Sequence, residues 1–171
     1  PLYREVLAID RENLGDKHPN IATDLDNLAG LLDDMGAAAE AEPLFREAFA
    51  MRRELLGEQH PDVAKSMNNL AMMLQKQGEL DEAEALFRDA IAIRRRVAEA
   101  HPELATNLKN LATVVELKGD LEGAEALYRE SIAIYQATLD DSHWLLATAR
   151  YQYGNCLRKQ QRYQEAEGYL L

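Results

Sequence analysis

The feature that most narrows the fold of this chain is a set of four short markers that returns every 41 or 42 residues. Leu2-Tyr3-Arg4 comes back as Leu44-Phe45-Arg46, Leu86-Phe87-Arg88 and Leu127-Tyr128-Arg129. His18-Pro19 comes back as His60-Pro61 and His101-Pro102, and then as His143-Trp144. Asn27-Leu28-Ala29 is followed by Asn69-Leu70-Ala71 and Asn110-Leu111-Ala112, with Tyr153-Gly154 in the fourth place. Glu40-Ala41-Glu42, Glu82-Ala83-Glu84, Gly123-Ala124-Glu125 and Glu165-Ala166-Glu167 close the units. A period of this length means stacked copies of one supersecondary unit.

Each unit reads as two helices, A and B. Helix A opens at Pro19, Pro61 or Pro102, because a proline in the first turn removes an N–H that has no partner there. It stops at Gly36, Gly78 or Gly119, residues suited to a left-handed cap; Gln161 stands there in the fourth unit, so that turn is expected to be less well made. Helix B is expected over about Leu80–Arg96 in the second unit and, because of Pro43, from no earlier than about Ala39 in the first. Met67, Leu70, Ala71 and Leu74 form an apolar stripe at helical spacing on one helix, and Ala83, Leu86, Phe87, Ala90, Ile91 and Ile93 form another. A hairpin carrying both stripes cannot bury them alone, so neighbouring hairpins stack.

The resulting expectation is an all-α chain of nine helices in a single array over 1–171. Residues 1–15 are helix B of a preceding repeat, 16–57 repeat 1, 58–98 repeat 2, 99–139 repeat 3 and 140–171 a truncated repeat 4. Because both ends fall inside amphipathic helices, the chain reads as a piece of something longer. Leu2, Val6, Leu7, Leu170 and Leu171 are expected to expose apolar surface, inviting self-association through the uncapped terminal helices.

Composition excludes several functions. The net charge of −11 argues against nucleic acid, since phosphate binding needs a basic face. There is no apolar stretch long enough to insert into a membrane. The single cysteine, Cys156, precludes an internal disulfide and suits a reducing compartment, here the cytoplasm. It sits among apolar helix positions and reads as a packed thiol. His18, His60, His101 and His143 lie one repeat apart, too far to converge on one metal ion, and read as helix-entry residues. Arg94-Arg95-Arg96 reads as a solvated run that complements a helix C-terminus. No nucleophile with a histidine partner and no phosphate loop is present, so neither catalytic residues nor cofactors are expected.

The pattern Leu70-Ala71, Gly78, Ala83, Phe87, Ala90, with its copies Leu28-Ala29, Gly36, Ala41, Phe45, Ala48 and Leu111-Ala112, Gly119, Ala124, Tyr128, resembles the tetratricopeptide repeat. The 42-residue period, Val63 to Ala71 and Glu40-Ala41-Glu42-Pro43-Leu44 are similar to the kinesin-light-chain type, in a bacterial relative. The resemblance implies a right-handed α-solenoid of stacked antiparallel helical hairpins, with the A helices lining a concave groove. It also implies a protein–protein scaffold rather than an enzyme.

On the groove face the candidate peptide-binding residues are Asn27, Lys65, Asn68, Asn69, Met72, Lys76, Lys109, Asn110, Thr113, Tyr151, Asn155 and Arg158. Asn27, Asn69 and Asn110 are mid-helix asparagines, which need a reason. One amide offers the donor and acceptor that an extended backbone requires, and the resemblance places ligand backbone at this position; bridging between helices is the competing role. Asp24, Asp26, Asp33 and Asp34 on the first A helix face Lys65, Lys76, Lys109, Lys118, Arg150, Arg158 and Lys159 on later ones, so the charge along the groove is expected to reverse. The partner is therefore a protein or peptide. The alternative is an assembly or regulatory module of a larger signalling protein.

Overall fold

The computed structural model describes residues 2–98 and 100–170. The expectations for Leu171, and for Glu99 in the shortened turn, fall outside them. The described residues form nine α-helices and no strand: α1 Leu2–Leu14, α2 Pro19–Asp34, α3 Ala38–Leu56, α4 Pro61–Gln77, α5 Leu80–Val97, α6 Pro102–Leu117, α7 Leu121–Thr138, α8 Trp144–Lys159 and α9 Tyr163–Leu170. They gather into two compact units, Pro1–Glu79 and Leu80–Leu171.

In the first unit α1 packs on α2, α2 on α3 and α3 on α4, and α2 also touches α4. In the second, α5 to α9 pack in the same sequential way, with α6 also touching α8. Short connections between packed neighbours make these antiparallel hairpins, and the A-on-A contacts of α2 with α4 and α6 with α8 are what stacking requires. The small residue of the Asn-Leu-Ala marker is fully buried in each of the first three A helices, at Ala29, Ala71 and Ala112. In α8 Gly154 takes that place, and a Cβ there would lie 2.9 Å from Leu170 Cγ and 3.1 Å from Tyr169 Cβ. The glycine therefore admits α9 at close range.

All four residues of the Met67, Leu70, Ala71, Leu74 stripe are buried, as are Ala83, Phe87, Ala90, Ile91 and Ile93. Leu86, expected with them, is only half-buried, because it lies at the edge of the α5 stripe. Cys156 is fully buried, and burial pushes its thiol above the usual range.

One local expectation is met and two are corrected. Helix α3 begins at Ala38, within a residue of the expected start, with Pro43 in its second turn; the carbonyl of Ala39 loses its helical donor there. The turn at Gln161 is as well hydrogen-bonded as those at the glycines. Gln161 N–H donates to Arg158 O and Arg162 N–H to Leu157 O, both at 3.0 Å, matching Gly119 to Glu116 and Asp120 to Val115. Gln161 reaches this geometry at φ 62°, so the departure from glycine is a conformational cost rather than a broken turn. Finally, Arg94 is buried and ion-paired with Glu103, not solvated, because its position in α5 faces the start of α6; Arg95 does reach across the surface to Glu130 at 2.8 Å.

Two outcomes follow. Phe87→Ala empties a fully buried site and is expected to cost about 3–5 kcal/mol in a urea titration; a cost under about 1 kcal/mol would contradict this assignment of the core. Gln161→Gly is expected to raise stability by up to about 1 kcal/mol, by removing a side chain from the left-handed region, which thermal unfolding would register as a higher Tm.

Candidate functional site

The four histidines each cap an A helix. Nδ1 of His18, His60, His101 and His143 accepts the N–H of Asn20, Asp62, Glu103 and Leu145 at 3.1–3.2 Å. A ring nitrogen thus satisfies one of the helix's orphan donors, and Nδ1 is spoken for at all four sites. Helix entry is the role the sequence indicates for them; that the side chain itself caps is not legible there, since histidine is not among the usual cap residues.

In the first unit, α2, α3 and α4 meet at one buried guanidinium. Arg52 Nη1, from α3, donates to Asp26 Oδ2 on α2 and to Ser66 Oγ on α4. Its Nη2 donates to Thr23 Oγ1 at 3.1 Å. The side chains of Arg52 and Asp26 are 4% and 5% exposed. Burial raises the Asp26 carboxyl above its usual range, against the opposing pull of Arg52, Lys65 and Asn69. Asp26, read from sequence as a groove acid, is therefore a structural ion pair. Sequence reasoning does not single out Arg52, although its recurrence as Arg94 one period later is a signal that the position is shared.

Repeat 3, in the second unit, solves the same position differently. Tyr135 of α7 stands where Arg52 does in register, and its hydroxyl lies 2.7 Å from Thr106 Oγ1, the counterpart of Thr23. Thr113 Oγ1 donates to Lys109 O and lies 3.1 Å from the Tyr128 hydroxyl. Tyr128 donates to Glu116 Oε2 at 3.0 Å, and Glu116 Oε1 holds Lys159 of α8 at 2.6 Å. At the α8–α9 turn, Glu125 receives Tyr153, Gln160 and Arg162. Burial of Tyr153, with the Glu125 charge beside it, pushes that phenol up to about 12.

Around these networks the candidate residues divide by environment. Asn27 and Lys65 are exposed, as are Lys76 and Arg158. Met72 and Tyr151 are 41% and 58% exposed. Asn68, Asn69, Lys109, Thr113 and Asn155 are half-buried. Asn68 leans on Met72 Sδ, and Asn155 donates to Tyr151 O of its own helix. Asn110 is buried and engaged. The three asparagines of the ladder therefore occupy three environments: open, half-covered and closed.

The expected reversal of charge is partly neutralised inside each unit. Asp33 holds Lys76 at 2.5 Å, and Asp24 crowds Asp10 of α1, with burial and that neighbour raising its carboxyl. Lys118 is held by Asp81 and Glu84, Lys159 by Glu116, and Arg150 lies 3.7 Å from Asp141. Lys65, Lys109 and Arg158 make no ion pair among the described residues. Burial holds the Lys109 amine below the usual range. Among the described residues no group of three or more metal-ligating side chains converges, and no helix is long and apolar enough to cross a membrane.

Removing Arg52 would strand Asp26 in the core. Arg52→Ala is expected to cost about 3–5 kcal/mol, and Arg52→Met with Asp26→Leu much less than the sum of the single changes. A double-mutant cycle in guanidinium chloride that proved additive would show the pair to be uncoupled.

Two kinds of similarity bear on this arrangement. The tetratricopeptide repeat family model matches residues 1–54, 28–96, 62–137 and 103–171. No curated protein matches. Among solved structures 136 chains match. One is a Podospora anserina protein described as a kinesin light chain with nearly identical TPR-like repeats, at 25% identity and TM-score 0.78, over 99% of this chain and 81% of that one. A glutamine-to-methionine variant of that same protein gives 25% identity and TM-score 0.81, over 99% and 80%. BtubC (BKLC) of P. vanneervenii shares the fold at TM-score 0.85 and 24% identity, over 99% of this chain and 68% of its own.

Proposed function

We propose that this chain, which belongs to the tetratricopeptide repeat family, is a scaffold whose A helices hold an extended segment of a partner protein. Repeats of this kind mediate protein–protein interaction, and the finer reading rests on the faces of α2, α4, α6 and α8. Its main support is that long polar and apolar side chains stand bare on those faces with no part in the core: Asn27, Lys65 and Met72 in the first unit, Tyr151 and Arg158 in the second. Packed helices lie about 8–10 Å apart, while an extended chain rises about 3.3 Å per residue. Neighbouring A helices therefore address roughly every third residue of a bound strand. Asn27 and Asn69 supply amides to its backbone, and Met72 and Tyr151 supply apolar contact. Asn110, being buried, serves by keeping α6 in place. The repeats act as one array, in a reducing compartment such as the cytoplasm that leaves Cys156 a thiol, and the chain catalyses no reaction of its own.

Labelled random peptides titrated by fluorescence anisotropy test this. Asn27→Ala with Asn69→Ala is expected to weaken every peptide that binds by about tenfold, whatever its side chains, because two backbone contacts are lost. Unchanged affinity would make those amides structural.

A second reading, assembly through the terminal helices, is favoured by α1. Leu2, Tyr3, Val6 and Ile9 are exposed, Tyr3 by 41%, whereas its counterparts Phe45, Phe87 and Tyr128 are all buried. Tyr169 and Leu170 are exposed on α9 as well. Leu7, expected with them, is buried because it faces α2. If this face pairs, sedimentation velocity will show mass rising with concentration, and Tyr3→Glu with Ile9→Glu will restore the monomer. A monomer at every concentration excludes it.

A further inference from the structure

We infer that the first unit contains a subsite for a basic side chain, a lysine ammonium or arginine guanidinium, in a cavity beside Asp26. It rests on the peptide-binding reading for the delivery of that side chain, and on its own geometry for the rest.

The cavity has a volume of about 220 Å³ and lies between α2 and α4, over Phe45 of α3. Asp26, Asp33 and Asp34 line one wall, Asn69, Met72 and Lys76 the other, and Gly30 opens it. Register with the other units explains the space. The position of Gly30 carries Met72, Thr113 and Asn155 one, two and three repeats on. In the second unit Thr113 sits against Tyr128, the counterpart of Phe45, with its Oγ1 3.1 Å from the phenol oxygen. In the first unit both partners of that contact are missing: the threonine is a glycine and the tyrosine a phenylalanine. A Cβ built on Gly30 meets nothing within 4 Å.

The chemistry of the occupant follows from Asp26. Its side chain is 5% exposed, Oδ2 is taken by Arg52, and Oδ1 completes no hydrogen bond. Asn69 is near enough to favour the charge on Asp26 without completing a bond to Oδ1. An unsatisfied buried carboxylate oxygen is costly and asks for a donor. Lys76, the lysine lining the cavity, is held by Asp33 at 2.5 Å instead. Of the three lining carboxylates, Asp34 has no ion pair among the described residues. An incoming cation with N–H donors would therefore meet an unsatisfied acceptor and the Asp34 carboxylate, with the methylenes of its side chain against Phe45, Met72 and Met73. An anion would meet neither, and a neutral apolar group would leave Oδ1 as it is.

The test uses the whole chain and two probes, methylguanidinium and n-butylammonium, with acetate and n-butanol as controls. Amide chemical shifts of Gly30 and Asn69 are followed during titration. Both cations are expected to give saturable shifts there, the controls none, and added salt to weaken the response. Gly30→Met, which places the side chain of the second repeat in the cavity, is expected to weaken the cations by about tenfold or more. It fills open space in a helix, so it is expected to fold at least as stably as the parent. In the random-peptide titration it should selectively weaken peptides bearing lysine or arginine. Absence of saturable shifts, or equal shifts in Gly30→Met, overturns the subsite even where peptides bind. Cation binding in a chain that takes up no peptide upholds the subsite and removes the groove reading instead.

Discussion

A helix in this chain carries apolar residues on more of its surface than one neighbour can cover, and every other feature answers to that constraint. Phe45, Phe87 and Tyr128, one each on α3, α5 and α7, are buried to 5%, 0% and 1% exposure, and the small residues Ala29, Ala71 and Ala112 are fully buried. Small residues let packed helices approach closely, and an apolar stripe that one hairpin cannot cover makes it depend on the next. The turns serve the same end. Left-handed caps at Gly36, Gly78, Gly119 and Gln161 end each A helix at nearly one place in the register, and each B helix begins at the corresponding position.

Polar groups are fitted into this frame by local solutions that differ between repeats. Arg52 ties three helices in the first unit through Asp26, Ser66 and Thr23, where Tyr135 makes the corresponding contact with Thr106. A guanidinium needs a buried anion and a phenol does not. Asp26 is therefore explained by Arg52, and its spare oxygen is a consequence of that choice. Glycine at position 30, where other repeats carry side chains, then leaves space beside it. Variation between copies of one motif is thus where the polar chemistry of the repeats differs, while the shared positions serve stacking.

The repeat, the nine helices, the histidine-proline entries and the buried stripes were legible because they depend on periodicity and on single-residue backbone preferences. The candidate site residues were legible only as positions along a helix, not by their surroundings. That Asn27 is open and Asn110 closed, or that Lys76 and Lys159 are already paired, depends on what a neighbouring helix puts opposite, and no single helix encodes that. Arg94 read as solvated for the same reason: its partner Glu103 belongs to the next helix.

What the sequence alone determined is therefore the unit: two helices, where they begin and stop, and which stripe each must bury. Period, proline, glycine and apolar spacing are local or repeating signals, and they act through the backbone and through water. What only the tertiary structure decided is the use of each polar side chain. Hydrogen bonds and ion pairs are short-ranged and directional, so whether Asp26 is a groove acid or a buried partner of Arg52 is set by contacts between residues 26 positions apart. The fold follows from averages over many residues; the site follows from a few particular distances.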